Sequence, residues 1–211
     1  RDDEGYVQRV IAIEDVPLEQ GTWLILGRTH SKLESLKDNL KERGIYYEYK
    51  NRKSYRQRLF RNILNYTRWT NGDKLSLTEC KDLFEFLELD WVQTEERLYG
   101  LEEFGFSFTN HWYEVFKSDP EESLYIRQML SNGEKLNEAA PVKLSTIHAA
   151  KGGEADNVLL ILDNTKKIRE AVEKNQDKRD EEHRVWYVGV TRTKQNLYIM
   201  EAKQERNGYD I

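Results

Sequence analysis

Residues 142–162 read VKLSTIHAAKGGEADNVLLIL, two apolar runs separated by a short polar island. Apolar runs of this length, bounded by turn signals, predict buried strands over 142–147 and 157–162. The island begins with Thr-x-His, which puts Thr146 and His148 on one side, because strand side chains two apart share a face. Both can then hydrogen-bond one ligand. Gly152-Gly153 permits a tight backbone approach or a positive φ, and Glu154 follows as an acceptor suited to a ribose hydroxyl. Thr146, His148, Lys151 and Glu154 are side chains that phosphate and ribose chemistry uses. A polar turn between two strands is the alternative, and this stretch alone leaves both open.

Working outward, GTWLILGRTH (21–30) predicts a strand from Trp23 to Leu26 that leaves at Gly27-Arg28. A helix follows, with Leu33, Leu36 and Leu40 at helical spacing and Gly44 as its stop. IYYEYK (45–50) predicts a second strand, which makes a β-α-β unit with parallel strands. On the other side, EEHRVWYVGVTRTK (181–194) predicts a helix and NLYIM (196–200) a last strand. The fold class expected is α/β, a parallel sheet flanked by helices, built from residues 1–50 and 139–211. Residues 51–138 switch to helical runs, RQRLFRNILNYTRW, TECKDLFEFLE and EESLYIRQML, and are expected to form a mostly helical insertion.

Composition sets the bounds. With 38% hydrophobic and 34% charged residues, the 211-residue chain is long and apolar enough for a proper core under a highly charged surface. A net charge of -5 gives no global attraction to nucleic acid, so any phosphate contact must come from a local positive patch. One cysteine, Cys80, excludes internal disulfides and multi-cysteine zinc patterns, which favours a reducing, cytoplasmic location. No apolar run approaches a membrane span, and a chain starting at Arg1 without a signal peptide is expected to be part of something longer.

Two further constellations stand beside the island. In the 181–194 helix, Val185, Val188 and Gly189 can face the sheet while Arg184, Tyr187, Thr191 and Arg192 follow a different angle. Arg192 falls near the helix end, where a guanidinium either quiets the helix dipole or reaches out to a phosphate. Arg28 follows the carboxyl end of a strand, the edge where open α/β sheets place ligands. A surface ion pair is its simpler role.

Together, WLILGRTH, LSTIHAAKGGEADNVLL and EEHRVWYVGVTRTKQNLYI resemble, in order, the fourth, fifth and sixth motifs of the UvrD/Rep-like superfamily 1 helicases. The stretch DDEGYVQRVIAIEDVPLEQG is similar to the lead-in of that domain. The resemblance covers about half of the chain. It implies a second RecA-like motor domain, interrupted by a helical subdomain, that forms the C-terminal motor half of an ATP-dependent DNA helicase moving 3′ to 5′. By position, it implies that Arg28 and Arg192 reach the γ-phosphate of ATP, that Glu154 with Gly152 and Gly153 contacts the nucleotide, and that Thr146 and His148 touch the DNA backbone. The implied partners are single-stranded or partly duplex DNA and the N-terminal motor domain, with no membrane. Gly27 stands where many relatives carry an adenine-stacking Tyr, Gly153 replaces a common Leu and Thr193 a common Ala.

No Gly is followed by Lys-Ser or Lys-Thr, so the chain lacks a P-loop, and ATP and Mg²⁺ are expected to be held mainly by the N-terminal half. Glu14, Asp15 and Asp163 read as ordinary strand-end residues, and His30, His111 and His183 show no ligand spacing. The insertion is polarised: residues 49–72 hold seven Lys or Arg and no acid, whereas 73–122 hold fourteen acids against four bases. Arg58 and Arg61, with Arg68 and interleaved Tyr55, Tyr66 and Trp69, suit a nucleic-acid strand. A solvated helix face paired with the acidic half is the competing assignment. A different functional class also stays open, a helicase-like domain without motor activity that binds nucleic acid or protein.

Overall fold

The computed structural model describes residues 5–105, 111–150, 152–202 and 208–209, and its chain divides into two compact units. The first unit comprises 1–54 and 129–211, the second Tyr55–Gln128.

The chain begins with β1 (Val7–Val10) and reaches β2 (Trp23–Gly27), all five residues of which are buried. The predicted single helix after β2 is two short ones, α1 (His30–Glu34) and α2 (Lys37–Glu42), broken at Ser35-Leu36. The break coincides with the Ser35 hydroxyl donating to the Lys32 carbonyl, a local bond that competes with helix continuation. Gly44, at φ 64°, ends α2 as expected. β3 (Tyr47–Tyr49) and β4 (Arg52–Lys53) then form an antiparallel hairpin.

The second unit holds α3 (Gln57–Thr70), β5 (Leu75–Ser76), α4 (Leu77–Leu87), β6 (Leu98–Tyr99) and α5 (Trp112–Val115). Ser76 caps α4 in a capping box with Glu79, which explains the sharp start of that helix. Its core is aromatic. Trp69, fully buried, donates its indole N–H to the Tyr99 carbonyl (3.2 Å); Phe104 packs edge to face and Phe84 tilted against it, and Trp91 packs edge to face on Phe84. Burial pushes the Cys80 thiol up to about 12, so it is an inert core residue. α6 (Pro120–Ser131) follows.

β7 (Val142–Thr146), β8 (Ala155–Ile161), α7 (Lys166–Lys174), α8 (Gln176–Val190) and β9 (Thr193–Met200) complete the first unit. The sheet has seven strands in the order β1-β9-β8-β2-β7-β3-β4, parallel except for the β3-β4 hairpin. This is the mixed α/β class expected, with helices flanking a mostly parallel sheet. Residues 51–54 and 129–138, expected in the insertion, belong to the sheet unit. β4 pairs with β3, Asn132 donates to the Arg43 carbonyl, and the Tyr46 hydroxyl donates to the Glu138 carbonyl.

α8 seats on the sheet through Trp186 (1% exposed), which joins Leu26, Ile147, Leu160 and Leu197 in one cluster. Gly189 makes this seating possible. A Cβ there would stand 2.9 Å from Leu160 Cδ1 and 3.5 Å from Ile147 Cδ1, closer to Leu160 than side chains tolerate.

Candidate functional site

Strand direction sorts the predicted site residues into two groups. Thr146 ends β7, and Gly27 ends β2 in register with both Thr146 and Ile161. Arg28 and His148 therefore sit at the carboxyl edge of the parallel strands. Glu154 immediately precedes β8, and Arg192 immediately precedes β9, at the amino edge. Six residue steps of β8 separate the two edges, about 20 Å at ~3.3 Å per step.

At the carboxyl edge, the Thr146 hydroxyl accepts from the Ala149 amide (3.3 Å), which fixes the turn that follows β7. Arg28 Nε donates to both oxygens of Glu182, at 2.9 and 3.0 Å, and its Nη1 lies 3.5 Å from His148 Nδ1. Glu182 is a carboxylate on α8 with 3% exposure. A charge that deep persists only when paired, so Arg28 and Glu182 hold each other in place. A cleft of about 730 Å³ opens here, with Arg28, His148, Lys167, Lys178 and Arg184 on its walls and Ile168 and Val185 among its apolar lining.

At the amino edge, the Ala155 amide donates to the Arg192 carbonyl (3.2 Å), so the backbones carrying Glu154 and Arg192 are neighbours. Gly152 has φ 84°, the left-handed region its lack of a Cβ allows, and Gly153 lies close enough to Ala150 that a Cβ would meet its carbonyl at 3.3 Å. The Arg192 side chain folds back on its own helix end, donating to the Val188 carbonyl (3.0 Å) and to Thr191 Oγ1 (3.2 Å). Lys151 lies outside the described residues.

This geometry corrects one expectation. Arg28 and Arg192 cannot meet at one γ-phosphate, because they stand on opposite edges of the sheet. The signal was present in the sequence. A helix between parallel strands runs antiparallel to them, so its last residue enters the next strand at the amino edge, while a residue following a strand sits at the carboxyl edge. The 3.6-residue period used for the helix reports angle, not height. Glu182, the partner that fixes Arg28, was missed because nothing local marks a glutamate in EEH as buried.

The arginines of the insertion follow the competing assignment. Arg58 donates to Asp82 (3.0 Å) and to Glu85, Arg61 to Asp82 (2.6 Å), and Arg68 to Glu79 (2.9 Å), all on α4. Burial raises the Asp82 pKa, but the hydrogen bonds from Arg58 and Arg61 outweigh it and hold the carboxyl below its ordinary value. Tyr55, Tyr66 and Trp69 are buried at 6%, 3% and 0% exposure and offer no face to a base.

Asp163 pairs with Lys32 (2.7 Å), and His30 bonds the Tyr49 hydroxyl (2.9 Å). Among the described residues, no cluster of three or more His, Cys, Asp or Glu can hold a metal ion, and no helix is long and apolar enough to cross a membrane.

A family model described as the UvrD-like helicase C-terminal domain matches residues 74–204, a span that includes Thr146, His148, Gly152, Gly153, Glu154 and Arg192 and leaves out Arg28, Arg58 and Arg61. Over 81 residues, 36% of this chain, it is 37% identical to the probable DNA helicase II homologues of Rickettsia conorii and Rickettsia felis and to the DNA helicase II of Rickettsia typhi. The matched segment spans 12% of each relative's length. The family match covers well over half of the chain, which therefore belongs to the UvrD-like helicase C-terminal domain family.

Proposed function

We propose that this chain is the C-terminal motor half of an ATP-dependent DNA helicase, with its two chemistries on opposite edges of one sheet. The amino edge serves the nucleotide. There Glu154 accepts from a ribose hydroxyl, and Arg192 leaves its helix-end carbonyl to meet the γ-phosphate of an ATP held by the N-terminal half. The carboxyl edge serves single-stranded DNA through Thr146 and His148. Arg28 belongs to this second edge, where its pairing with Glu182 sets the position of His148.

The observation that carries the proposal is the shared amino-edge position of Glu154 and Arg192, joined through the Ala155 amide bond. The chain's own residues suit only that secondary role. They include no P-loop, and the described ones include no metal cluster, so ATP and Mg²⁺ fit a partner half that supplies phosphate cradle and metal. When bound, ATP supplies the phosphoryl group and the free energy of closure. Arg192 contributes a fixed positive charge where negative charge gathers on the transferring phosphoryl oxygens, an effect of roughly 10³-fold or more in rate.

The test joins the chain to its P-loop half and measures DNA-stimulated ATPase. The expected result is activity in the joined protein, its loss in Arg192→Ala, and retained basal ATPase with weaker DNA stimulation in Arg28→Ala. Undiminished ATPase in Arg192→Ala overturns the assignment. No ATPase in any joined form favours a binding module that lacks a motor.

A further inference from the structure

The basic stretch 49–72 divides in the structure. Its later arginines are taken up by carboxylates, Arg58, Arg61 and Arg68 by those of α4 and Arg56 by Glu122 of α6, but Lys50, Arg52 and Lys53 lie at the β3-β4 hairpin, in the sheet unit. Two surface grooves meet at this hairpin. One, about 830 Å³, lies between the hairpin and α2; the other, about 350 Å³, extends from it to Ser145 and Thr146; Tyr49 and Lys50 line both. Together the two linings carry six Lys or Arg against three carboxylates, in a chain whose net charge is -5. The excess is local and works against the field of the whole molecule.

Register places this charge beside the DNA edge. Tyr49 pairs with Leu144, and Lys50 and Asn51, the turn that follows, line the smaller groove together with Ser145 and Thr146. The tip is also strained. Lys50 (φ 52°) and Asn51 (φ 58°) are consecutive non-glycine residues in the left-handed region, where glycine would sit without penalty. A two-residue hairpin turn needs positive φ at both central positions, and here a lysine occupies the first of them in place of glycine. Two ammonium groups, Lys37 (4.7 Å) and Lys50 (4.9 Å), converge on the Tyr49 ring, with Glu34 between them as their one carboxylate partner among the described residues. Arg52 makes no ion pair among the described residues, so it offers an uncommitted guanidinium next to them.

We propose that the β3-β4 hairpin tip is a second contact for the phosphate backbone of single-stranded DNA, continuing the grip from Thr146 through Lys50 and Arg52. The inference rests on the carboxyl edge being the nucleic-acid face. It concerns phosphate only; no exposed aromatic stack accompanies the charges, so the contact is indifferent to sequence.

Fluorescence anisotropy of a fluorescein-labelled oligo(dT), titrated with the chain at several salt concentrations, tests it. Lys50→Gly with Arg52→Ala should weaken binding about tenfold at moderate salt and flatten the log K against log salt slope by about 1.4, two phosphates at ~0.7 each. Lys50→Gly removes strain, so its melting temperature should equal or exceed that of the parent, which separates lost charge from lost fold. Asn51→Gly relieves strain while keeping every cation and should bind like the parent. Parental affinity and slope in the double variant, with binding lost in Thr146→Ala plus His148→Ala, overturns the hairpin contact and leaves the carboxyl edge standing. No binding by the parent chain overturns both.

Discussion

The two units use arginine in opposite ways. In the sheet unit, Arg28 is held by a single carboxylate that is almost fully buried, with side-chain exposures of 20% and 4% for the pair. In the insertion, Arg58 and Arg61 share Asp82 at exposures of 48%, 61% and 25%, with Glu85 beside them at 66%. A buried pair pays desolvation and in return fixes a geometry, whereas exposed pairs are screened, exchangeable and individually weak. The first arrangement positions a group next to a functional edge. The second neutralises a helix face, and the insertion must draw its stability from somewhere else.

That source is the aromatic core, and removing it is the strongest way to sharpen the contrast. Trp69→Ala should destabilise the insertion by about 3–5 kcal/mol, through lost burial, a cavity and an orphaned Tyr99 carbonyl, as read by urea unfolding followed with tryptophan fluorescence. Next in size is Glu182→Ala, expected to cost about 3 kcal/mol because Arg28 is left half-buried without its counter-charge. Replacing both, Arg28→Met with Glu182→Leu, should recover most of that loss. A recovery near zero would break the comparison, since the pair would then be no more coupled than a surface one.

The smallest effects belong to the insertion's ion pairs. A double-mutant cycle on Arg61 and Asp82 should return about 0.2–1 kcal/mol, falling further in high salt. The sign with pH follows from the lowered Asp82 pKa. The carboxylate's contribution is complete above its unfolded value, roughly 3.9, and is lost as pH falls through the folded value below it. Acid titration of parent and Asp82→Asn should therefore show the full difference above about pH 4 and convergence only as pH falls through the lower folded value. A coupling as large as that of Arg28 and Glu182 would erase the distinction drawn between the units.

Much of this was visible in residue order. The strands at 23–27, 142–146 and 155–161 announce themselves through their apolar residues: β2 is buried throughout, β7 alternates buried with more exposed positions, and β8 ends in the buried run from Val158 to Ile161. β1 does not, since it is an edge strand whose Val7 is 66% exposed, and β4 is two residues held by its partner alone. At the site, residue types were legible and heights were not. Thr146, His148, Glu154 and Arg192 could be named from the island and the helix end, but the edge each occupies depends on strand direction. The neutralisation of Arg58 and Arg61 was foreshadowed by fourteen acids just downstream, although charge counts cannot say which carboxylate reaches which guanidinium.

Gly189 ties the two edges to a common reference. Because α8 rests directly on Leu160 and Ile147 at this residue, the depth of the whole helix is set by one missing methyl group. Glu182 stands seven residues before that seat on the same rigid rod, and Arg192 three after it, just past the rod's end. Any side chain wedged under the rod would tilt or lift it, displacing the carboxylate that anchors Arg28 and the guanidinium at the far end in a single movement. The smallest residue in the helix is thus its fulcrum.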